Sequence, residues 1–201
     1  MTVVPYITLY DGETIPYALG FAEHRGATAG YRLSYGDPRQ EDWLFGVLWH
    51  RQEVTRAGRP AWQCVNTLRQ RRCMLRLLCQ VCGRPARDRS TRRISWLLAD
   101  PPGQVGGVQF THTPPTCRTC IPLALRLCPR LDASAKVCTV ARSEPYGVVG
   151  EIYSPASDGV VVVKPSLEIP LDAYRDLEWT LASQLIVSLA GLEYVAPRRK
   201  A

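Results

Sequence analysis

Two Cys-x-x-Cys pairs constrain this chain more than any other feature. Cys79 and Cys82 form the first, with Gly83 directly after it; Cys117 and Cys120 form the second, and 34 residues lie between them. Each pair places two thiolates on one side of a tight turn, and two such pairs complete a tetrahedral shell with metal–sulfur bonds of about 2.3 Å. Four sulfur donors with no open position point to a structural zinc ion, Zn2+, rather than a catalytic one. The competing readings are reduced, metal-free buried thiols, or disulfides. No charged-then-apolar leader begins the chain, and two close pairs in a reducing compartment suit a metal better than disulfides. Cys64, Cys73, Cys128 and Cys138 read as small buried apolar residues. Cys73 is the nearest to an exception, because it lies on the predicted helix that leads into the first pair.

The residues between the pairs add a sequence of elements. Residues 94–99 read as a strand, the run Asp100, Pro101, Pro102, Gly103 as a turn, and 107–111 as the returning strand. Thr116 is a candidate cap for a helix whose first turn holds Cys117 and Cys120, and Pro122 is tolerated near such a start. Knuckle, hairpin and helix in this order resemble the treble-clef class of zinc fingers, over residues 79–128. The frame is also similar to zinc-containing nucleases of the His-Asn-His class, which hold a catalytic hairpin and helix between two such pairs. That resemblance implies a hairpin histidine that activates water, and ligands for a second metal. The comparable place here holds Ile94, Ser95 and Trp96, and the one histidine between the pairs is His112, which reads as a loop residue. Segments 78–86, 114–117, 127–131 and 147–153 resemble uncharacterised zinc-finger-like proteins of high-GC actinobacteria. This resemblance runs through residues 65–155 and implies the zinc site and a bacterial cytoplasm.

Charge is unevenly placed. The formal net charge is +7, yet residues 1–50 carry six acidic and three basic side chains, and residues 51–93 carry twelve arginines against Glu53 and Asp88. The excess therefore sits in the segment that leads through the first cysteine pair. Only Lys136, Lys164 and Lys200 are lysines, a bias that a GC-rich genome also produces. Residues 66–78 read as a helix with Leu68, Met74, Leu75 and Leu78 on one side and Arg69, Arg72 and Arg76 on another. Arg87 and Arg89 follow in the loop after the knuckle. A basic helix and loop beside a zinc knuckle make an electrostatic footprint for nucleic acid, or for an acidic protein partner. No aromatic residue interleaves with these arginines, so a base-stacking platform is not expected.

Elsewhere the pattern is mostly β. Residues 3–10 read as a strand that turns at Asp11 and Gly12 and pairs back through 14–21. Residues 31–35 and 43–49 read as strands, as do 136–141, 147–153 and 160–164, and 165–170 as an extended linker. His24 and His50 read as ordinary surface or core histidines. Leu177, Leu181, Leu185 and Leu189 repeat every four residues and suggest a C-terminal amphipathic helix over 172–190, stopped by Gly191. Its apolar face suits a sheet or a second copy of the chain.

Hydrophobic content of 46% excludes disorder as the default, and no apolar run reaches transmembrane length. The expected fold is α+β: a mixed or antiparallel sheet, a treble-clef-like zinc unit and the C-terminal helix. The expected organisation is a mostly β region at 1–63, a basic helix plus zinc unit at 64–131, and strands with the closing helix at 132–201. Cys79, Cys82, Cys117 and Cys120 are the expected metal ligands. Arg69, Arg72, Arg76, Arg87 and Arg89 are the expected contacts to nucleic acid or an acidic partner. The functional expectation is a cytoplasmic, zinc-stabilised binding or regulatory protein that engages nucleic acid. A protein–protein accessory factor with structural zinc is the first alternative, and a nuclease of the His-Asn-His kind the second.

Overall fold

The computed structural model describes residues 3–25, 30–129, 131, 135–157 and 159–195. In chain order the first half contains β1 (Thr8–Tyr10), β2 (Leu19–Glu23), β3 (Tyr31–Tyr35), β4 (Trp43–Leu44), β5 (Val47–Trp49), β6 (Pro60–Val65) and α1 (Thr67–Arg76). Then come β7 (Ile94–Leu98), β8 (Gly103–Val105), β9 (Val108–Thr111), α2 (Ile121–Leu127), β10 (Lys136–Val140), β11 (Arg142–Ala156), β12 (Gly159–Pro170), α3 (Tyr174–Leu177), β13 (Thr180–Ala190) and β14 (Glu193–Tyr194). The class is α+β, with few helical residues.

The largest sheet is mixed and runs in the order β12-β11-β13-β5-β4, with the β8–β9 hairpin joined to it through β9. β11 lies antiparallel to β13 from Arg142 opposite Ala190 to Ile152 opposite Thr180. The other edge of β13 is shared. Leu181 and Ala182 pair in parallel with Leu48 and Trp49, and Val187 to Leu189 pair antiparallel with β9. Strands from both sides of the cysteine segment therefore meet in one sheet.

Between those two pairings β13 has a gap, and helix α1 fills it. Gln70, fully buried, accepts from the Leu185 N–H at 2.9 Å and donates through Nε2 to the Leu185 carbonyl at 2.9 Å. The same Nε2 donates to the His112 carbonyl at 2.8 Å. A glutamine side chain thus stands in for a missing strand, because buried backbone groups need partners. Trp49, Trp96, Ile94, Leu185 and Cys138 pack in the main core, and Cys79 and Cys120 belong to the same cluster.

Several expectations from the sequence need correction. The segment 172–190 is not a long amphipathic helix but the short α3 followed by the buried strand β13. Leucines four apart satisfy a helix, but four is also a multiple of the strand period of two. Leu185, Val187 and Leu189 alternate into the main core, while Leu181 and Ile186 are buried in two smaller apolar clusters. With no helix there, it offers no helical face for pairing two copies. The linker expected at 165–170 is the continuation of β12.

At the N-terminus, β1 does not pair with the residues that follow it but with β6, and β2 pairs with β3. Glu13 turns inward instead of facing solvent, accepts from the Tyr10 N–H at 2.9 Å and the Arg56 N–H at 2.7 Å, and holds the chain against the segment before β6. The single strand expected at 43–49 is a tight hairpin. Phe45 and Gly46 both adopt positive φ, 58° and 76°, the backbone that a two-residue turn demands. Strand β7 exists but pairs with β10, not with 107–111; the hairpin between the cysteine pairs is β8–β9.

Candidate metal centre and its arginine surroundings

Helix α1 is what delivers the first cysteine pair. Asn66 caps it by accepting from the Arg69 N–H at 3.0 Å, and Leu77, at φ 54°, ends it in a left-handed turn that aims the chain at Cys79. The knuckle closes when the Gly83 N–H donates to the Cys79 carbonyl at 2.8 Å and the Cys79 N–H to the Arg84 carbonyl at 2.7 Å. Gly83 has φ 71°, and a Cβ there would lie 3.0 Å from the Tyr6 ring, so both conformation and space favour glycine. The Val81 N–H points at the Cys79 sulfur, 3.4 Å away.

The second pair sits in a turn ahead of α2 rather than inside its first helical turn. Cys120 is the N-cap, and the Cys120 and Ile121 N–H groups donate to the Cys117 carbonyl at 2.9 and 3.1 Å. Thr116 does not cap this helix. It is buried and accepts from Gln80 Nε2 at 2.9 Å, while the Gln80 N–H donates to the Pro115 carbonyl at 2.8 Å. These two bonds knit one cysteine turn to the other.

All four sulfurs of Cys79, Cys82, Cys117 and Cys120 lie within 4.8 Å of one another. The sulfurs of Cys82 and Cys117 are 3.8 Å apart. A regular tetrahedron with bonds of about 2.3 Å has edges of about 3.8 Å, so the spacing fits a four-thiolate metal shell. Cys79 and Cys120 face the core, Cys82 is exposed and Cys117 half-buried. Burial pushes the Cys79 thiol up to about 11 and also raises Cys120. Cys82 is held below the usual thiol value: burial works against this, but hydrogen bonds from the Arg84 N–H and the neighbouring thiols outweigh it. Four thiolates this close repel one another, and a divalent cation is what lets all four ionise together. The cluster can hold a structural metal ion. Among the described residues it is the one group of three or more Cys, His, Asp or Glu side chains that closes to ligating distance.

The other cysteines stay outside this shell. Cys73 is buried with its sulfur 3.9 Å from the Cys79 carbonyl oxygen, Cys138 is buried in β10, and Cys128 is half-buried. Cys64 is exposed, contrary to its reading as a buried apolar residue.

The arginines separate into two groups, and two expected contact residues, Arg69 and Arg87, are engaged within the fold. Arg69 is not a surface contact: it is 3% exposed and its guanidinium grips the fully buried Glu13, Nη1 to Oε1 at 2.7 Å, and the Thr8 carbonyl at 2.6 Å. The buried face of α1 is Thr67, Arg69, Gln70, Cys73 and Met74, whereas Leu75 is exposed. Arg87 is half-buried and donates to the Arg92 carbonyl at 2.6 Å, which frames the loop. Arg72, Arg76 and Arg89 are exposed, with no acidic partner among the described residues.

Two residues near the site carried no expectation from the sequence. Asp88 accepts from the N–H and hydroxyl groups of Ser90 and Thr91, which shapes the loop and lowers its carboxyl well below the usual range. Its other oxygen takes Arg118 at 2.9 Å, so the loop after the first pair is tied to the turn of the second. The available signals were an Asp two and three residues ahead of Ser90 and Thr91, and an arginine inside a Cys-x-x-Cys turn. His112 is exposed, with Nδ1 3.4 Å from Glu168 Oε1. His50 is half-buried and bonded to the Tyr17 hydroxyl at 2.8 Å.

No protein-family model matches the chain, and neither curated proteins nor solved structures gave a match. No helix among the described residues is long and apolar enough to cross a membrane.

Proposed function

We propose that this chain is a binding protein clamped by a structural zinc ion, and that the arginines around the clamp engage nucleic acid through its phosphates. The convergence of four sulfurs, two against the core and two toward solvent, carries the proposal. Zinc at Cys79, Cys82, Cys117 and Cys120 joins the end of α1, the loop 83–93 and the start of α2 into one body. Metal binding there is part of the folding free energy. Knuckle, β8–β9 hairpin and short helix keep the order of a treble-clef-like unit, and that likeness belongs to the same proposal.

The phosphate contacts are Arg72, Arg76 and Arg89, joined by Arg84 beside Cys82. Their support is exposure without acidic partners, on a unit where basic residues far outnumber acidic ones. Arg69 and Arg87 have structural tasks and leave this set.

A salt series tests the proposal. Zinc-loaded protein binds nucleic acid at low salt, and the logarithm of affinity falls linearly with that of salt concentration. Arg72→Gln/Arg76→Gln/Arg89→Gln weakens binding and reduces that slope by about 0.7–0.9 for each phosphate no longer neutralised. Folded, zinc-loaded protein that binds no nucleic acid at low salt overturns it and turns the surface toward an acidic protein partner.

A further inference from the structure

The surface beside the knuckle carries more than arginines. Strand β6 pairs with β1 through Ala61 opposite Leu9 and Val65 opposite Thr8, so the three residues 62–64 are looped out between adjacent partners. Bulges of this kind re-aim a side chain. Here the bulge presents Trp62, at 56% exposure. Of the five tryptophans only Trp62 is exposed; Trp49 and Trp96 are buried, and Trp43 and Trp179 are partly so. A large aromatic held out by an irregular backbone is the kind of group that anchors a partner.

This ribbon adjoins the metal knuckle directly. The Tyr6 and Ile7 N–H groups donate to the Val81 and Gln80 carbonyls at 3.0 and 3.2 Å, and on the other side the Asn66 N–H donates to the Ile7 carbonyl at 2.8 Å. Knuckle, residues 6–7 and the end of β6 therefore lie side by side. The Tyr6 ring stands over Gly83, and the Arg56 guanidinium carbon lies 5.4 Å from the Tyr6 ring centroid. Arg56 is exposed, and it is a non-glycine residue held at φ 57°. Its N–H is fixed by the buried Glu13 carboxylate, whose charge Arg69 balances. A left-handed backbone at an arginine costs free energy, and here a buried ion pair maintains it.

We infer that Trp62 and the Arg56 guanidinium on Tyr6 form a base-stacking subsite for single-stranded nucleic acid, placed beside the metal knuckle. The inference rests on the nucleic-acid reading above and narrows it. Every base offers a π-face to an aromatic ring or a guanidinium plane, so such a subsite is tolerant of sequence and needs unpaired bases. Arg59 just ahead of β6, Arg72 on α1 and Arg84 in the knuckle are exposed and supply the charge that a strand's phosphates require. Tyr6 is remote from these arginines in the sequence and is brought to the knuckle by the fold, and Trp62 lies on the ribbon that continues from it.

The test uses zinc-loaded full-length protein, a labelled twelve-nucleotide oligothymidylate, and a duplex of the same length. Wild type binds the single strand more tightly than the duplex, and the single strand quenches tryptophan fluorescence. Trp62→Ala lowers single-strand affinity about fivefold or more and abolishes most of the quenching, with duplex affinity changed less than twofold. Arg56→Gln lowers single-strand affinity in the same direction. Zinc content and melting temperature of Trp62→Ala match wild type, since its side chain is exposed. Salt-dependent binding that persists while Trp62→Ala and Arg56→Gln leave single-strand affinity within twofold of wild type overturns the stacking subsite and leaves the phosphate surface standing. Equal or tighter binding of duplex does the same. No binding of either probe overturns both.

Discussion

Replacing Arg69 by methionine separates a core arginine from a surface one. Arg69 and Glu13 are 3% and 0% exposed, and Glu13 also accepts from the Tyr10 and Arg56 N–H groups and from Asn66 Nδ2 at 3.2 Å. Removing the guanidinium leaves a buried carboxylate with hydrogen bonds but no counter-charge, which costs about 3–5 kcal/mol. In a chain of this size that lowers the melting temperature by about 6–20 °C. Arg72→Met, on the exposed side of the same helix, changes stability by about 0.5 kcal/mol or less. Glu13→Gln/Arg69→Met recovers part of the loss, because no uncompensated charge remains. The pH dependence has a defined sign. Burial raises the Glu13 pKa, but the bonds from Arg69, Tyr10 and Arg56 prevail and hold it below the usual carboxylate value. Its contribution is present above the unfolded value and is lost as pH falls through the folded one. Arg69→Met therefore flattens the acid side of the stability profile. Urea unfolding followed by circular dichroism, at constant zinc, measures all of this. Arg69→Met no more destabilising than Arg72→Met would refute the buried ion pair.

Gln70→Leu removes the side chain that completes β13, leaves the Leu185 N–H and carbonyl buried without partners, and costs about 2–6 kcal/mol at 1–3 kcal/mol per group; urea unfolding checks it, and a loss below about 1 kcal/mol would mean that α1 does not seal that gap. His50 is held below its ordinary pKa by burial, against the raising effect of Glu151. The folded histidine takes up its proton less readily than the unfolded one, so stability falls as pH drops below about 6.5, where the unfolded histidine is protonated first. Melting curves at pH 7.5 and 5.5 for wild type and His50→Gln should show a smaller pH difference in the variant, with the metal contribution common to both.

The four-cysteine cluster was legible in the sequence because Cys-x-x-Cys spacing is local: two residues between the cysteines fix the turn whatever the rest of the fold does. The start of α1 was equally local, set by Asn66 as its cap. Pairing was not. Ile94 to Leu98 reads as a strand from its apolar run, but nothing in that run distinguishes β10 from 107–111 as its neighbour. The C-terminal segment failed because leucines four apart fit both periods, and its β-branched Thr180, Ile186 and Val187 carried the weaker signal for strand. Arg69 was misplaced for a different reason. Periodicity sorts arginine to the outside, and its burial depends on Glu13, 56 positions earlier in the chain. Trp62 was passed over because its exposure comes from a three-residue bulge that only the β1–β6 register creates.

X-ray absorption at the zinc edge, with metal content determined on the same sample purified without added metal, tests the clamp most directly. One zinc per chain with four sulfur neighbours at about 2.3 Å is the expected result, and Cys79→Ser should lose both the metal and that signature. Well under one zinc per chain, nitrogen or oxygen neighbours in place of sulfur, or a Cys79→Ser variant with unchanged metal content would contradict a structural zinc at Cys79, Cys82, Cys117 and Cys120.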